Sequence, residues 1–184
     1  MRRLFFLFII MVFICGCTGM PEKFTSSQDA FQYISDRENG FISDTLLPSE
    51  VKINVQILPS VLIQKTNNPT LIKYFNVQFS YQGNELLAQL PAEDYGTYVQ
   101  LFSFGMDQKI YLIDKNGKSY YPSMINYQPT YKAGRSNDLL VVFDEELPDD
   151  DLKLSIDEFG LNLGRLNFSV NKEQLNYKPF IDEF

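Results

Sequence analysis

The 184-residue chain lacks histidine and tryptophan, and it has only two cysteines. Hydrolytic mechanisms in which an imidazole activates a serine or cysteine nucleophile are therefore excluded. The two cysteines, Cys15 and Cys17, are too close in sequence for an ordinary disulfide bond. We expect a fold that is stable without disulfide cross-links.

No apolar run is long enough to span a bilayer, and the longest lies at the N-terminus. Residues 4–14 form an apolar run of 11 residues that follows Arg2 and Arg3 and precedes the small residue Gly16. Since a membrane-spanning helix needs about 20 apolar residues, this run is too short to remain as an anchor. The pattern predicts that residues 1–16 are a secretory signal peptide and are removed.

The sequence Ile14-Cys15-Gly16-Cys17 resembles the lipobox of bacterial lipoproteins, in which an aliphatic residue and two small residues precede the acylated cysteine. The resemblance implies that Cys17 is acylated and becomes the N-terminus, and that Cys15 leaves with the signal peptide. No thiol would remain for metal or redox chemistry. An ordinary secretory signal with an incidental cysteine is the alternative. Because Thr18 rather than Asp follows the cysteine, similarity to enterobacterial lipoproteins implies an outer-membrane location.

Basic residues are the minority among the charged side chains, with 16 Lys and Arg against 23 Asp and Glu. Removal of residues 1–16 takes away two arginines and no acid, which leaves 14 basic and 23 acidic residues and a formal charge of −9. A chain this acidic is not expected to bind nucleic acid by neutralising phosphates. Anionic lipid surfaces attract basic segments, so attachment to the membrane is expected through the lipid alone.

The composition of the mature chain favours one β-rich domain behind a short tether. Residues 17–27 contain a glycine, a proline and two serines, which predicts a lipidated tether, and residues 28–184 then form the domain. The chain has 16 Phe and 11 Tyr, and aromatic and β-branched residues favour strands. A short helix is predicted at the start, capped by Ser27, with Ala30, Phe31 and Ile34 on one face and Gly40 as the stop.

Eight strands are predicted, and the clearest have alternating apolar and polar residues. They cover residues 51–57, 71–81, 95–104, 109–114, 118–125, 139–143, 152–156 and 163–170. The fourth and fifth are joined by Asn116-Gly117, a pair that accepts the positive φ angles of a tight hairpin. Short strands at this spacing predict an antiparallel sandwich or barrel.

Two segments, YLIDKNGKSYYP and LLVVFDEELPDDDLKLSI, resemble the later strands of immunoglobulin-like domains found in many bacterial lipoproteins. RENGF and VQILPS are similar to segments of uncharacterised lipoproteins of the Bacteroidota type. The resemblance implies an all-β fold, an immunoglobulin-like antiparallel sandwich of about eight strands with a short N-terminal helix. It also implies a binding or assembly role without a cofactor.

Residues 144–151 contain six acids in eight positions, and Asp144, Asp149, Asp150 and Asp151 are candidate calcium ligands. Calcium takes six to eight oxygen ligands, so the run is able to supply several of them. A solvated turn that keeps neighbouring strand edges apart is the favoured interpretation, because the ligand spacing of an EF-hand loop is absent.

The loop at residues 127–138 mixes rigid aromatic and charged groups, a composition typical of binding loops. Its candidate partner-binding residues are Tyr127, Tyr131, Lys132 and Arg135. Alternatively, the tyrosines cover the edge of the core with their hydroxyls in water. The partner would be a protein of the envelope or a sugar.

Paired carboxylates at Glu93-Asp94 and at Asp36 with Glu38 are the remaining candidates for catalysis, of the kind glycosidases use. Isolated acids are common in an acidic domain, so no enzyme activity is expected. The sequence thus predicts a lipid-anchored binding or assembly protein of the cell envelope. The alternative is a surface carbohydrate-binding lipoprotein that uses Tyr127, Tyr131 and Arg135.

Overall fold

A computed structural model describes residues 19–68, 70–131 and 133–184. Cys17 and Lys132 therefore lie outside the described residues. The strands are β1 Lys23–Phe24, β2 Ile42–Leu46, β3 Val51–Leu58, β4 Lys73–Tyr81, β5 Asn84–Glu85, β6 Ile110–Ile113, β7 Ser119–Tyr120, β8 Met124–Tyr127, β9 Asn137–Phe143, β10 Leu152–Ile156, β11 Leu166–Val170 and β12 Phe180–Ile181. The α-helices are α1 Ser27–Ser35, α2 Ser60–Gln64, α3 Ala92–Phe104 and α4 Lys172–Leu175. Among these residues no helix has both the length and the apolar character needed to cross a membrane.

The strands form two antiparallel sheets and one small parallel pair. The larger sheet has the order β2-β3-β4-β9-β8, with β5 paired to β4. The smaller sheet has the order β11-β10-β6-β7. The parallel pair joins β1 to β12, close to the two ends of the described chain. The predominantly β, antiparallel character that the sequence predicts is confirmed.

The two sheets share one hydrophobic core, which follows from the alternation along their strands. In β3 and β4 every second residue points inward, and Phe75 and Val77 are fully buried. They belong to the same hydrophobic cluster as Leu112 and Leu154 of the smaller sheet. Burial of one such side chain stabilises the fold by roughly 1.5–3 kcal/mol. The predictions at 51–57 and 71–81 are confirmed as β3 and β4.

The prediction of a strand at residues 95–104 is wrong, because this segment belongs to helix α3. Its inward side chains Tyr95, Tyr98, Val99 and Phe102 are spaced as on one face of a helix, and Phe102 is fully buried. The ring of Phe102 packs edge-on against Phe79, at 5.3 Å between centroids. Burial of this face thus outweighs the strand preference of the aromatic residues.

The single strand predicted at 118–125 is two strands in different sheets. β7 pairs with β6 in the smaller sheet, whereas β8 pairs with β9 in the larger one. Pro122 lies between them, and proline cannot donate a ladder hydrogen bond. In the β6–β7 hairpin only Gly117 has a positive φ, of 84°, and Asn116 does not share that conformation. β2 has no counterpart among the predicted strands.

The predicted N-terminal helix is confirmed as α1, with a different cap. Ser26, not Ser27, caps it, and its hydroxyl accepts the N–H of Asp29 at 3.1 Å. Ala30 and Ile34 are buried, whereas Phe31 is partly exposed. Gly40, with φ of 76°, ends the 3-10 turn that follows.

Part of the segment predicted as a tether packs on the domain. The Pro21 carbonyl accepts a hydrogen bond from the Tyr177 hydroxyl. Lys23 in β1 forms an ion pair with Asp182 at 2.8 Å. The ring of Phe24 lies 5.6 Å from that of Tyr33 in α1. From Pro21 onward, the described chain is therefore part of the fold.

Candidate functional site

The 127–138 loop joins β8 to β9 at one end of the larger sheet. At this end Asn137 pairs with Phe79, and β4 continues into the tight turn at Gln82-Gly83. Both turn residues have positive φ angles, 48° and 77°, as in a type I′ turn. The loop and the turn therefore lie side by side beyond the same strand ends.

A buried carboxylate, Glu85, holds this loop in place. Glu85 is only 1% exposed, and its Oε1 accepts the Gly134 N–H at 2.7 Å and the Thr130 hydroxyl. Its Oε2 accepts the side-chain amide of Asn137 at 3.2 Å. Hydrogen bonds to a charged acceptor offset the cost of burying it. One carboxylate thus connects β5, the loop and the start of β9.

Asn137 extends this network to the next segment of the chain. Its side-chain Oδ1 accepts the backbone N–H of Leu87 at 2.9 Å, and the residue is 1% exposed. Gly134 lies so close to the network that a Cβ there would come within 2.8 Å of the Thr130 hydroxyl oxygen and 3.0 Å of Glu85 Oε1. Only glycine fits at this position without a shift of its neighbours.

Tyr127 lies in the core rather than on the predicted binding surface. It is 8% exposed, its hydroxyl accepts the Asn137 side-chain amide at 3.1 Å, and its ring packs on Phe102 at 5.5 Å. Burial raises the pKa of Tyr127 to about 12. Tyr127 therefore supports the loop from below and is not available to a partner.

Tyr131 and Arg135 are the exposed members of the predicted set. Tyr131 is 77% exposed. Its φ of 51° lies in the left-handed region, so the backbone turns sharply at this residue. Arg135 is exposed and has no ion-pair partner within the described residues. Lys132 lies between them but outside the described residues. The surface available to a partner is thus narrower than the sequence predicts.

Two shallow clefts meet beneath Arg135 and Ser136, which line both of them. The first has a volume of about 440 Å³ and the second about 580 Å³. Polar residues line the first, namely Asn76, Asn126, Gln128, Thr130 and Asp138, with Leu140 beside them. The second is lined by Leu46, Glu50, Lys52, Asn54, Gln78, Ser80 and Gln82. The clefts cover the outer face of the larger sheet next to the 127–138 loop.

Three of the six acids in the 144–151 run make separate local contacts, and the run does not converge on one point. Asp149 accepts the Asn176 side-chain amide at 3.1 Å, and Asp150 pairs with Lys115 at 2.7 Å. Asp151 accepts the backbone N–H of Lys172 at 2.9 Å, where α4 begins. Asp144 is exposed. Within the described ranges no group of three or more acids is arranged to hold a metal ion.

The carboxylates considered for catalysis lie apart from the clefts. Glu93 and Asp94 are in the first turn of α3, where negative charge complements the helix dipole. Asp36 caps a 3-10 turn by accepting the N–H of Glu38 at 3.0 Å. All four acids thus lie at or within the first turn of a helical segment, where negative charge is favourable.

Comparisons with protein-family models, with curated proteins and with solved structures find no match to this chain. Its class is therefore defined by fold and site alone. The described residues form a predominantly β domain of antiparallel sheets, with an exposed loop held by a buried carboxylate beside two polar clefts.

Proposed function

We propose that the protein is a lipid-anchored binding module of the cell envelope, acylated at Cys17 and without catalytic activity. The observation that carries the proposal is the position of the 127–138 loop, at the end of the larger sheet opposite to where the N-terminal segment joins the fold. Tyr and Arg, the exposed residue types at this loop, are enriched in the energetic centres of protein interfaces. The partner would be another envelope component, and not nucleic acid.

Strand β4 runs from the region of the N-terminal segment to the 127–138 loop, so these two parts of the chain lie at opposite ends of the domain. Its first residue, Lys73, donates to the Leu175 carbonyl at 3.1 Å, and so lies near the C-terminal segment that pairs with β1. Its last residue, Tyr81, precedes the Gln82-Gly83 turn beside the loop. A nine-residue strand spans about 25–30 Å. The loop is therefore separated from the N-terminal segment by roughly the length of the domain.

The expected anchor is close to the first of these ends. Pro21 lies four positions after Cys17, and its carbonyl accepts a hydrogen bond from the Tyr177 hydroxyl. A fully extended chain of four residues reaches at most about 14 Å. An acyl chain on Cys17 would hold this end near the bilayer and leave Tyr131 and Arg135 directed away from it.

We also propose an immunoglobulin-like arrangement of the two sheets. In the larger sheet the order β3-β4-β9-β8 matches the A-B-E-D order of such domains. In the smaller sheet the order β11-β10-β6-β7 matches G-F-C-C′. β2 would be an additional edge strand, and α3 an insertion between the second and third strands. The antiparallel pairing of every neighbour in both sheets supports this assignment.

Site-specific photo-cross-linking in intact cells tests the binding role. A photoreactive amino acid replaces Tyr131 in the full chain, and the matched control carries it at Tyr121, an exposed tyrosine that follows β7 of the smaller sheet. We expect irradiation to join one reproducible envelope component to position 131 and not to position 121. The absence of adducts at both positions, or the same adducts at both, would contradict the proposal.

A further inference from the structure

Six residues with side-chain amides line the two clefts, and all but Gln82, which lies in the turn between β4 and β5, form one group on the outer face of the larger sheet. This amide platform consists of Asn54, Asn76, Gln78, Asn126 and Gln128. Strand register explains why they are grouped: Asn54 is opposite Gln78, and Asn76 and Asn126 are both opposite Leu140, one on each side of β9. Two neighbouring rows of the sheet thus present the same functional group to the same face.

Two amides of the platform form hydrogen bonds within the protein, and the other three form none among the described residues. Asn54 donates to Gln78 Oε1 at 2.9 Å, and Gln78 donates to Asp138 at 2.9 Å. The side chains of Asn76, Asn126 and Gln128 have no hydrogen-bond partner within the described residues. Each amide has two N–H donors and one carbonyl acceptor. The platform therefore offers several unused donors and acceptors at fixed spacing.

The charge of the clefts favours an uncharged ligand. Their charged lining residues are Glu50, Lys52, Arg135 and Asp138, two acids and two bases, whereas the whole chain has a formal charge of −7. A balanced surface of this kind gives no general attraction for a polyanion. Selectivity would come from hydrogen bonds and from shape.

Within the binding role proposed above, we infer that the amide platform binds an uncharged saccharide chain. A sugar hydroxyl both donates and accepts, as an amide does, and neighbouring hydroxyls match the paired donor and acceptor of one amide group. The two clefts adjoin at Arg135 and Ser136, which suits an extended oligosaccharide rather than a single sugar. Tyr131 lies in the loop between Thr130 and Gly134 of the first cleft, and its exposed ring offers an apolar face for the C–H groups of a pyranose.

The test uses the purified, lipidated full chain in detergent on an array of neutral and uronic-acid-containing oligosaccharides. The strongest neutral oligosaccharide is then titrated by calorimetry. We expect the double variant Asn76→Ala with Asn126→Ala to weaken binding at least tenfold, because two amides lose their hydrogen bonds to the ligand. The single variant Asn126→Ala removes an exposed side chain and should weaken binding about threefold without a change in melting temperature.

The matched control is Gln100→Ala, which removes an exposed amide on α3 that lines neither cleft. It should bind as the unchanged protein does. Absence of binding to every neutral oligosaccharide, binding of the acidic ones alone, or equal affinity of the double variant would overturn the inference. A protein adduct at position 131 together with no saccharide binding would overturn it while leaving the proposed binding role intact. A lack of adducts together with saccharide binding that depends on Asn76 and Asn126 would support the platform and contradict the partner contact proposed for Tyr131.

Discussion

At the scale of single residues, two of the three buried polar or charged side chains among the described residues, Glu85 and Asn137, lie beneath the 127–138 loop. Glu85 and Asn137 are each 1% exposed, and they hydrogen-bond to each other across 52 positions of sequence. An exposed loop loses conformational entropy when it binds, and a fixed loop loses less of it on binding. In the proposed binding role, the buried pair would therefore fix the loop that carries Tyr131 and Arg135 before a partner binds.

Replacement of Glu85 by glutamine tests this role. The glutamine side chain has nearly the same shape, but one oxygen acceptor becomes an N–H₂ group that faces the donors of Gly134, Thr130 or Asn137. We expect a loss of roughly 2–3 kcal/mol in the free energy of unfolding, because buried donors lose their acceptor. Denaturant unfolding measures the loss, and hydrogen exchange should accelerate at residues 133–136.

The control is Glu146→Gln, which changes an exposed carboxylate of the acidic run. It should alter the unfolding free energy by less than about 0.5 kcal/mol. Equal stability of the Glu85 and Glu146 variants would mean that the buried carboxylate does not hold the loop.

A second carboxylate, that of Glu158, should make the free energy of unfolding depend on pH in the acid range. Its Oε1 accepts the N–H groups of Gly160, Leu161 and Asn162, and its Oε2 accepts that of Gly164 at 2.6 Å. Burial alone would raise the pKa of Glu158, but these four backbone donors hold it below its usual range. A pKa that is lowered on folding stabilises the protein above the unfolded value of about 4.3, and this stabilisation is lost as the pH falls through the folded pKa.

We therefore expect Glu158→Gln to reduce stability by roughly 1 kcal/mol at pH 7 and to unfold with a shallower dependence on pH below about 4.3. Thermal unfolding between pH 7 and pH 3 measures both effects. Glu145→Gln, at an exposed acid, is the control and should keep the steep acid limb. An acid limb of the same slope in the Glu158 variant would contradict the assignment.

At the scale of elements, the segment between β5 and β6 contains helix α3, where the sequence pattern predicts a strand. Gly96 lies inside α3, is exposed, and has open space where a Cβ would be. In a helix, alanine is more favourable than glycine by about 1 kcal/mol and valine gains less, whereas in a strand valine is preferred over alanine. Gly96→Ala should therefore raise the free energy of unfolding by about 1 kcal/mol, and Gly96→Val by less.

Denaturant unfolding of the two Gly96 variants is the measurement. Greater stability of the valine variant would favour the strand that composition alone predicts for residues 95–104. No further control is needed, because the two variants differ only in the two additional methyl groups of valine, at one exposed site with open space around it.

Elements with a regular pattern were predictable from the sequence, and those that depend on distant contacts were not. The alternation in β3 and β4 and the Asn116-Gly117 hairpin were visible because neighbours in sequence decide them. The helical spacing within α3 was also present, at Tyr95, Tyr98, Val99 and Phe102, but the aromatic composition favoured a strand. β2 has polar residues at its centre and is recognisable as a strand only by its pairing with β3.

The same distinction applies to the candidate site. Glycine and proline in the 127–138 loop indicated an exposed connection, and Tyr131 and Arg135 are exposed. The burial of Tyr127 depends on Phe102 from α3 and on the amide of Asn137, which no local pattern shows. Likewise, Glu85 follows a tight turn in sequence and carries no signal that its partners lie more than 40 positions away.

At the scale of the whole molecule, the first of two predictions concerns the expected lipid anchor at Cys17. Cys17→Ala removes the proposed acylation site, so the protein should remain unacylated with its signal peptide retained. Metabolic labelling with a fatty-acid analogue, followed by mass spectrometry of the N-terminus, measures this. Cys15→Ala is the matched control and should still be acylated, because alanine is a usual residue at that place in the lipobox. Continued acylation of the Cys17 variant would remove the lipid anchor from the proposal.

The second prediction at this scale concerns orientation on the bilayer. A chain acylated at Cys17 has no other thiol once Cys15 is removed, so single cysteines can be labelled at Tyr131→Cys or at Phe184→Cys. Pro21 is joined to the C-terminal segment by Tyr177, and Phe184 follows β12 in that segment. If Cys17 is acylated as proposed, the reach of at most about 14 Å from Cys17 to Pro21 would keep this end near the lipid.

We expect energy transfer from a label to an acceptor dye in the vesicle membrane to be strong at position 184 and weak at position 131. The two labels should differ in height by about 25 Å, the length of the β4 strand between the two ends of the domain. Equal energy transfer at the two positions would mean that the larger sheet lies along the bilayer surface. In that orientation the amide platform would be much less accessible to an extended ligand. The expected orientation would therefore connect the proposed lipid anchor to the proposed binding site, because a short attachment at one end would leave the other end free for recognition.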